Sequence, residues 1–148
     1  MLTILLICFI FSNSTRPRSE SAEQSGMVAE FLKPLIDPQD KINDSVFHHY
    51  VRKAAHFVEF AALGFSLMGL SDSLPWMDRK KQRLILPLLA SLLVAATDEI
   101  IQIFAPLRGP GVKDVLLNFC GGAVGVFGMA VLLMLIRWIK GWKRKRSV

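Results

Sequence analysis

Two stretches of this chain, Leu84 to Phe104 and Val115 to Ile136, are almost wholly apolar. Each reaches the roughly 20 residues that an α-helix needs to cross a ~30 Å hydrocarbon core. Two further apolar blocks run from Met1 to Phe11 and from Ala54 to Leu70. The flanks of the latter can lengthen it to a full span. The former, at ~1.5 Å rise per residue, covers roughly 17 Å, little more than half a span. Overall, 52% of residues are apolar and only 20% are charged, and the mean hydropathy is +0.40. A soluble domain of 148 residues would carry more charge. The expectation is one domain over residues 1–148, an all-α integral membrane four-helix bundle. Its spans fall at about 1–12, 52–70, 84–105 and 115–137, followed by a basic tail over 138–148, and its first helix is short or truncated.

The first block has competing readings. A signal peptide has a similar apolar core, but no basic residue precedes this one. A lipoprotein signal wants a small residue before its cysteine, and Ile7 precedes Cys8. The preferred reading is a first transmembrane helix whose start has been clipped. Cys8 and Cys120 both lie in apolar blocks, with no CxxC or metal-ligand spacing, and read as small apolar filler. No metal or other cofactor is expected.

Basic residues set membrane orientation. The tail holds Arg137, Lys140, Lys143, Arg144, Lys145 and Arg146 with no acid, and the Ser71–Arg83 connection is also net basic. Four helices put these two on one side, which the positive-inside rule makes cytoplasmic. The charge-balanced Ser12–Lys53 connection and the short Ala105–Asp114 connection then face outward. The chain is therefore expected as a multi-pass protein of the bacterial inner membrane with its C-terminus in the cytoplasm. Trp138 and Trp142 among the basic residues read as an interfacial anchor, so no nucleic-acid partner is expected.

Residues 13–25 read as a solvated loop, and Met27 to Ile36 as one or two helical turns on the membrane surface, ended near Pro34 and Pro38. Asn43, Asp44 and Ser45 suit a helix start. A helix from Ser45 to Leu70 would run roughly 39 Å. Pro75 falls in the next connection, and Pro87 near the start of the third span, where a missing N–H donor matters little. Pro106, Gly109, Pro110 and Gly111 make the third connection tight and non-helical.

Polar groups collect where membrane helices do not carry them casually. They are Arg52, Lys53, His56 and Glu59 at the start of the second span; Asp98, Glu99 and Gln102 at the end of the third; Arg108 in the connection; and Lys113, Asp114 and Asn118 at the start of the fourth. At ~100° per residue, His48, Arg52, His56 and Glu59 fall within about 80° of one another. Asp98 and Gln102 share a face. Asp114 and Asn118 share another, which Gly121, Gly125 and Gly128 continue, and small residues at this spacing let helices approach closely. All these polar residues lie at the same end of the bundle. Ionisable groups facing lipid would cost several kcal/mol, so they are expected to turn inward and meet in one outward-opening pocket.

The segments RKAAHFVEFAALG (Arg52–Gly64) and DEIIQIFAPLRGPGVKDVLLNFCGG (Asp98–Gly122) resemble the VanZ-like family, in the patterns R-K-x-x-H-x-x-E, D-E-x-x-Q-x-F-x-P-x-R and D-x-x-x-N-x-x-G. FSNS (Phe11–Ser14) is similar to that family's FSSQ-type segment. The motifs are specific in combination and weak singly. The resemblance implies a four-helix bacterial membrane protein of the cell envelope. The namesake of the family is linked to low-level resistance to the glycopeptide teicoplanin, a link that leaves the biochemical activity open. By the motif, Arg52, Lys53, His56, Glu59, Asp98, Glu99, Gln102, Arg108, Asp114 and Asn118 carry over. Leu107 stands where the family often has Gly, and the first helix is short.

Several functional readings stay open on these residues. The first is a binding protein whose pocket takes a lipid headgroup, a lipid-linked wall precursor or a glycopeptide, with Arg52, Lys53 and Arg108 on phosphate or carboxylate and Gln102 and Asn118 as neutral partners. The second is an intramembrane enzyme with Glu59 or Asp98 as acid or base and His56 as proton carrier. The third is a structural salt-bridge network, with four acids (Glu59, Asp98, Glu99, Asp114) matched to four bases (Arg52, Lys53, Arg108, Lys113). A proton-coupled transporter is disfavoured, because the inner halves of the spans lack ionisable groups, and it would need a homo-oligomer. Membrane lipids are the expected partners in every case.

Overall fold

A computed structural model describes residues 1–75, 80–104 and 111–146, with side chains left aside at 18, 19, 21, 22, 24, 80 and 143–146. Among the described residues the chain is all helix: α1 (Leu2–Thr15), α2 (Arg18–Ile36), α3 (Asp44–Ser73), α4 (Lys80–Ile103) and α5 (Val112–Arg146). Pro106, Leu107, Arg108, Gly109 and Pro110 lie outside the described residues, as do Asp78 and Arg79.

Three helices contain stretches long and apolar enough to cross a membrane: Asp44–Ser73, Lys81–Ile103 and Val112–Trp142. Only 28%, 28% and 22% of an 18-residue apolar window within each is buried inside the molecule. So much outward apolar surface is untenable in water and natural in lipid. α1 is apolar and short, at 14 residues. It packs on α3 and α4, while α5 lies along α3 and also touches α4. The apolar core is small, with Ile10, Phe60, Leu63 and Ala95 fully buried. Leu6, Ile7, Phe11, Leu67, Val94 and Val115 pack around them.

Local chemistry accounts for the helix ends. Asn43 caps α3, its side-chain oxygen accepting from the Ser45 amide at 3.0 Å. Before it, Asp37 accepts from the Ile42 amide at 2.6 Å, and Asp40 sits at a φ of 51°, a left-handed position that Asp tolerates in a turn.

Three expectations change. Residues 13–25 are not a solvated loop: α1 runs to Thr15, α2 starts at Arg18, and α2 continues through Pro34 to Ile36. The basic tail is not separate, because α5 continues helically to Arg146, with Trp138 and Trp142 stacked one turn apart at 6.3 Å. Finally, α4 begins several residues before Leu84, so Pro87 lies in its interior. Its missing N–H frees the carbonyl of Arg83, four residues back. The Ser71 hydroxyl on α3 donates to that oxygen at 2.9 Å. A neighbouring helix thus supplies the hydrogen bond the proline removes.

Glycines set the α3–α5 approach. A Cβ at Gly121 or Gly125 would overlap the backbone carbonyl of Phe57 or Ala61, and one at Gly64 would overlap that of Gly122. A Cβ at Gly122 would collide with Ser91 of α4. Gly128 does not belong to this seam: it is exposed, and no described atom lies within 4 Å of its Cβ position. The seam drifts round α5, because 3.6 residues per turn carries a helix face away from any fixed row of residues.

Candidate functional site

The end of the bundle formed by the C-termini of α1 and α4 and the N-termini of α3 and α5 holds a connected polar cluster. Asp98 of α4 is fully buried at its centre. The Ser14 hydroxyl of α1 donates to Asp98 Oδ1. Gln102, one turn on in α4, donates to Oδ2 at 2.9 Å, and Asn118 of α5 donates to the same oxygen at 3.4 Å. Neutral donors from three helices therefore converge on one carboxylate. In a low-dielectric interior such a satisfied network holds its members firmly.

The neighbouring carboxylates also have fixed partners. Glu99, 5% exposed, accepts from the Gly111 amide at 2.6 Å, which ties the end of α4 to the start of α5. Lys53 of α3 pairs with Asp114 of α5 at 2.5 Å. Glu59 Oε1 accepts from Asn13 Nδ2 of α1 at 3.1 Å.

His56 and Glu59 differ from the rest. They lie one turn apart on α3, with side chains 18% and 20% exposed. His56 Nδ1 stands 3.5 Å from Glu59 Oε2, an ion-pair separation too long for a good hydrogen bond. Both atoms are buried, and neither has a hydrogen-bond partner among the described residues. The same holds for Glu99 Oε2 and Ser91 Oγ. Polar atoms of this kind are exceptions that call for an explanation.

Lys53, His56, Glu59, Asp98, Glu99, Gln102, Asp114 and Asn118 thus come together at one end. Arg52 turns toward His49, with Nη2 3.4 Å from Nδ1. Arg108 lies outside the described residues, and Lys113 is exposed. Among the described residues no group of three or more His, Cys, Asp and Glu side chains is arranged to hold a metal ion. Cys8 and Cys120 are free thiols, exposed on the apolar helices α1 and α5.

Sequence reasoning missed Asn13 and Ser14. A serine and an asparagine after an apolar block read as a helix boundary, and only the FSNS segment hinted at more. It also placed the polar groups at one end, whereas the opposite end is polar as well. There Asp72 of α3 takes Arg137 of α5 at 2.5 and 2.8 Å and Arg83 of α4 at 3.4 Å. These three had been assigned to a connection and a tail. α1 confirms the alternating packing: its N-terminal Thr3 meets Ser66, far along α3, at 2.8 Å.

Neither a curated protein nor a solved structure matches the chain. A family model described as VanZ/LLP1 matches residues 1–137, a stretch that includes α1, α3, α4, most of α5 and every member of the cluster. With a polar cluster built from the K-x-x-H-x-x-E, D-E-x-x-Q and D-x-x-x-N residues, and a family match over nearly the whole chain, this is a membrane protein of the VanZ/LLP1 family.

Proposed function

We propose that the chain sits in a bacterial inner membrane with its polar end outward and its C-terminus in the cytoplasm, and that it binds a cell-envelope component at that end. The ligand classes are a lipid headgroup, a lipid-linked wall precursor or a glycopeptide. The observation that carries this reading is the split within the cluster. Asp98, Glu99 Oε1 and Asp114 are held by donors of the bundle itself. His56 Nδ1 and Glu59 Oε2 are buried atoms of partly exposed side chains, with no hydrogen bond among the described residues. The first group builds a rigid floor, and the second offers one donor or acceptor position and one acceptor to a ligand polar group. Arg108, on the adjoining connection, would add a cation for phosphate or carboxylate.

The same pair favours a second reading. A histidine 3.5 Å from a carboxylate can move a proton, so an envelope lipid could be a substrate rather than a ligand. Native mass spectrometry of the purified protein, with lipid-linked wall precursor and glycopeptide as probes, separates the two. Under the binding reading, His56→Gln and Arg108→Gln fold normally and weaken binding about tenfold, the equivalent of one hydrogen bond to a charged group. Unchanged binding by both variants defeats it. Under the enzymatic reading, Glu59→Gln abolishes turnover while binding survives.

A further inference from the structure

Far from the buried cluster, roughly 24 Å further along α3 than His56, Asp72 gathers basic side chains from α4 and α5. We infer that this end of the bundle is a binding surface for the phosphate headgroup of an anionic phospholipid.

Among the described residues, one carboxylate at this end, Asp72, stands against four cations: Lys81 and Arg83 of α4, and Arg137 and Lys140 of α5. Beyond Asp114 the chain has no acidic residue at all. Asp72 Oδ1 accepts from Arg83 Nη1 at 3.4 Å and from Arg137 Nη2 at 2.5 Å, and Oδ2 accepts from the same Nη2 at 2.8 Å. Arg137 thus meets Asp72 through a single nitrogen. Its Nε and Nη1 donate to no described residue, and its side chain is 61% exposed. Lys140, one turn on, is exposed and likewise makes no hydrogen bond or ion pair with a described residue. A guanidinium positioned by a carboxylate, with donors to spare beside an ammonium, suits the oxygens and the negative charge of a phosphate.

A second observation points to lipid as the bearer of that phosphate. Trp138 and Trp142, both exposed, lie about 40° apart on one side of α5, and Arg137 and Lys140 about 60° apart on the other. All four fall within about 8 Å of helix length, just past the apolar stretch that ends at Ile136. Tryptophans at the end of a span sit among headgroups, so the two cations stand at the level of lipid phosphates. Below Lys140, Ile136 and Leu132 follow at one-turn steps and are exposed, an apolar track for an acyl chain. This surface is distinct from the His56–Glu59 pair and does not depend on the function proposed for that pair.

The test uses the full chain in a neutral detergent and three probes: short-chain phosphatidylglycerol, short-chain phosphatidylcholine and inorganic phosphate. Binding is followed by native mass spectrometry and calorimetry. The expected result is saturable binding of phosphatidylglycerol, with phosphatidylcholine at least fivefold weaker. Lys140→Gln should weaken phosphatidylglycerol binding about fivefold and Arg137→Gln/Lys140→Gln about 25-fold, at about fivefold for each basic residue removed near a membrane surface. Lys140 has no partner among the described residues, so its variant keeps the fold, and in the double variant Arg83 still holds Asp72. Undiminished phosphatidylglycerol binding by both variants overturns the surface. Phosphatidylcholine bound as tightly as phosphatidylglycerol overturns the selection for negative charge. Inorganic phosphate bound as tightly as phosphatidylglycerol overturns the lipid assignment.

Discussion

At the scale of single residues, Asp98 is the side chain on which the polar end depends most. Ser14, Gln102 and Asn118 all direct donors at its two oxygens. Removing the acceptor takes it from two buried donors, Ser14 and Asn118, and from the half-buried Gln102, at about 1–3 kcal/mol for a buried donor left unsatisfied. Asp98→Ala is therefore expected to lower stability by roughly 3 kcal/mol or more in thermal unfolding of the micelle-bound protein. Asp98→Asn should lose less, because it keeps one acceptor oxygen while turning an amide toward the other donors. The site residues on α3, α4 and α5 were legible from the sequence because charge stands out against an apolar background. Ser14 was not, since a serine at the end of a span is common, and nothing local tells whether it faces water or a carboxylate 84 positions away.

At the scale of helices, close approach and tethering divide the work. Gly125 lies against Ala61, and Gly128 lies open. Gly125→Ala should force α3 and α5 apart and destabilise by about 1–3 kcal/mol, the usual range for overpacking. Gly128→Ala should instead stabilise by up to about 1 kcal/mol, because alanine favours the helix and meets nothing. Paired denaturation curves in one detergent test both signs. α2 is held differently. Lys33 binds Asp40 and Asp44, and these hydrogen bonds, Asp40 first, raise its ammonium pKa above the ordinary lysine value. A raised lysine pKa gives stabilisation that is fully present below the ordinary value and lost as pH climbs through the raised one. The tether should thus persist from pH 6 to 9 and fail only in strong alkali. Amide exchange across residues 30–36, corrected for intrinsic rates, should quicken several-fold in Lys33→Ala at pH 7 and show no such change in the native chain between pH 6 and 9.

At the scale of the whole molecule, two polar locks close opposite ends of a bundle whose middle is apolar. The Asp98 cluster binds α1, α4 and α5, and Asp72 binds α3, α4 and α5 through Arg83 and Arg137. If the positive-inside rule governs insertion, single cysteines at positions 39 and 108, in a chain with Cys8 and Cys120 replaced, should react with an impermeant thiol reagent in intact cells. Cysteines at 77 and 145 should react only after the membrane is opened. The reverse pattern would invert the proposed orientation and put the cluster on the cytoplasmic side. Membership of the helical membrane class, the number of long apolar helices and the neighbourhood of the polar residues all follow from composition and period, because hydrocarbon admits few ways to satisfy a backbone. The partners within that neighbourhood do not. Asp98 with Ser14, Ser71 with the carbonyl freed by Pro87, and Gly64 against Gly122 join residues far apart in the chain. Such pairs depend on how the helices rotate about their axes, and rotation is settled by the packing of all the helices together, not by the pattern along any one of them.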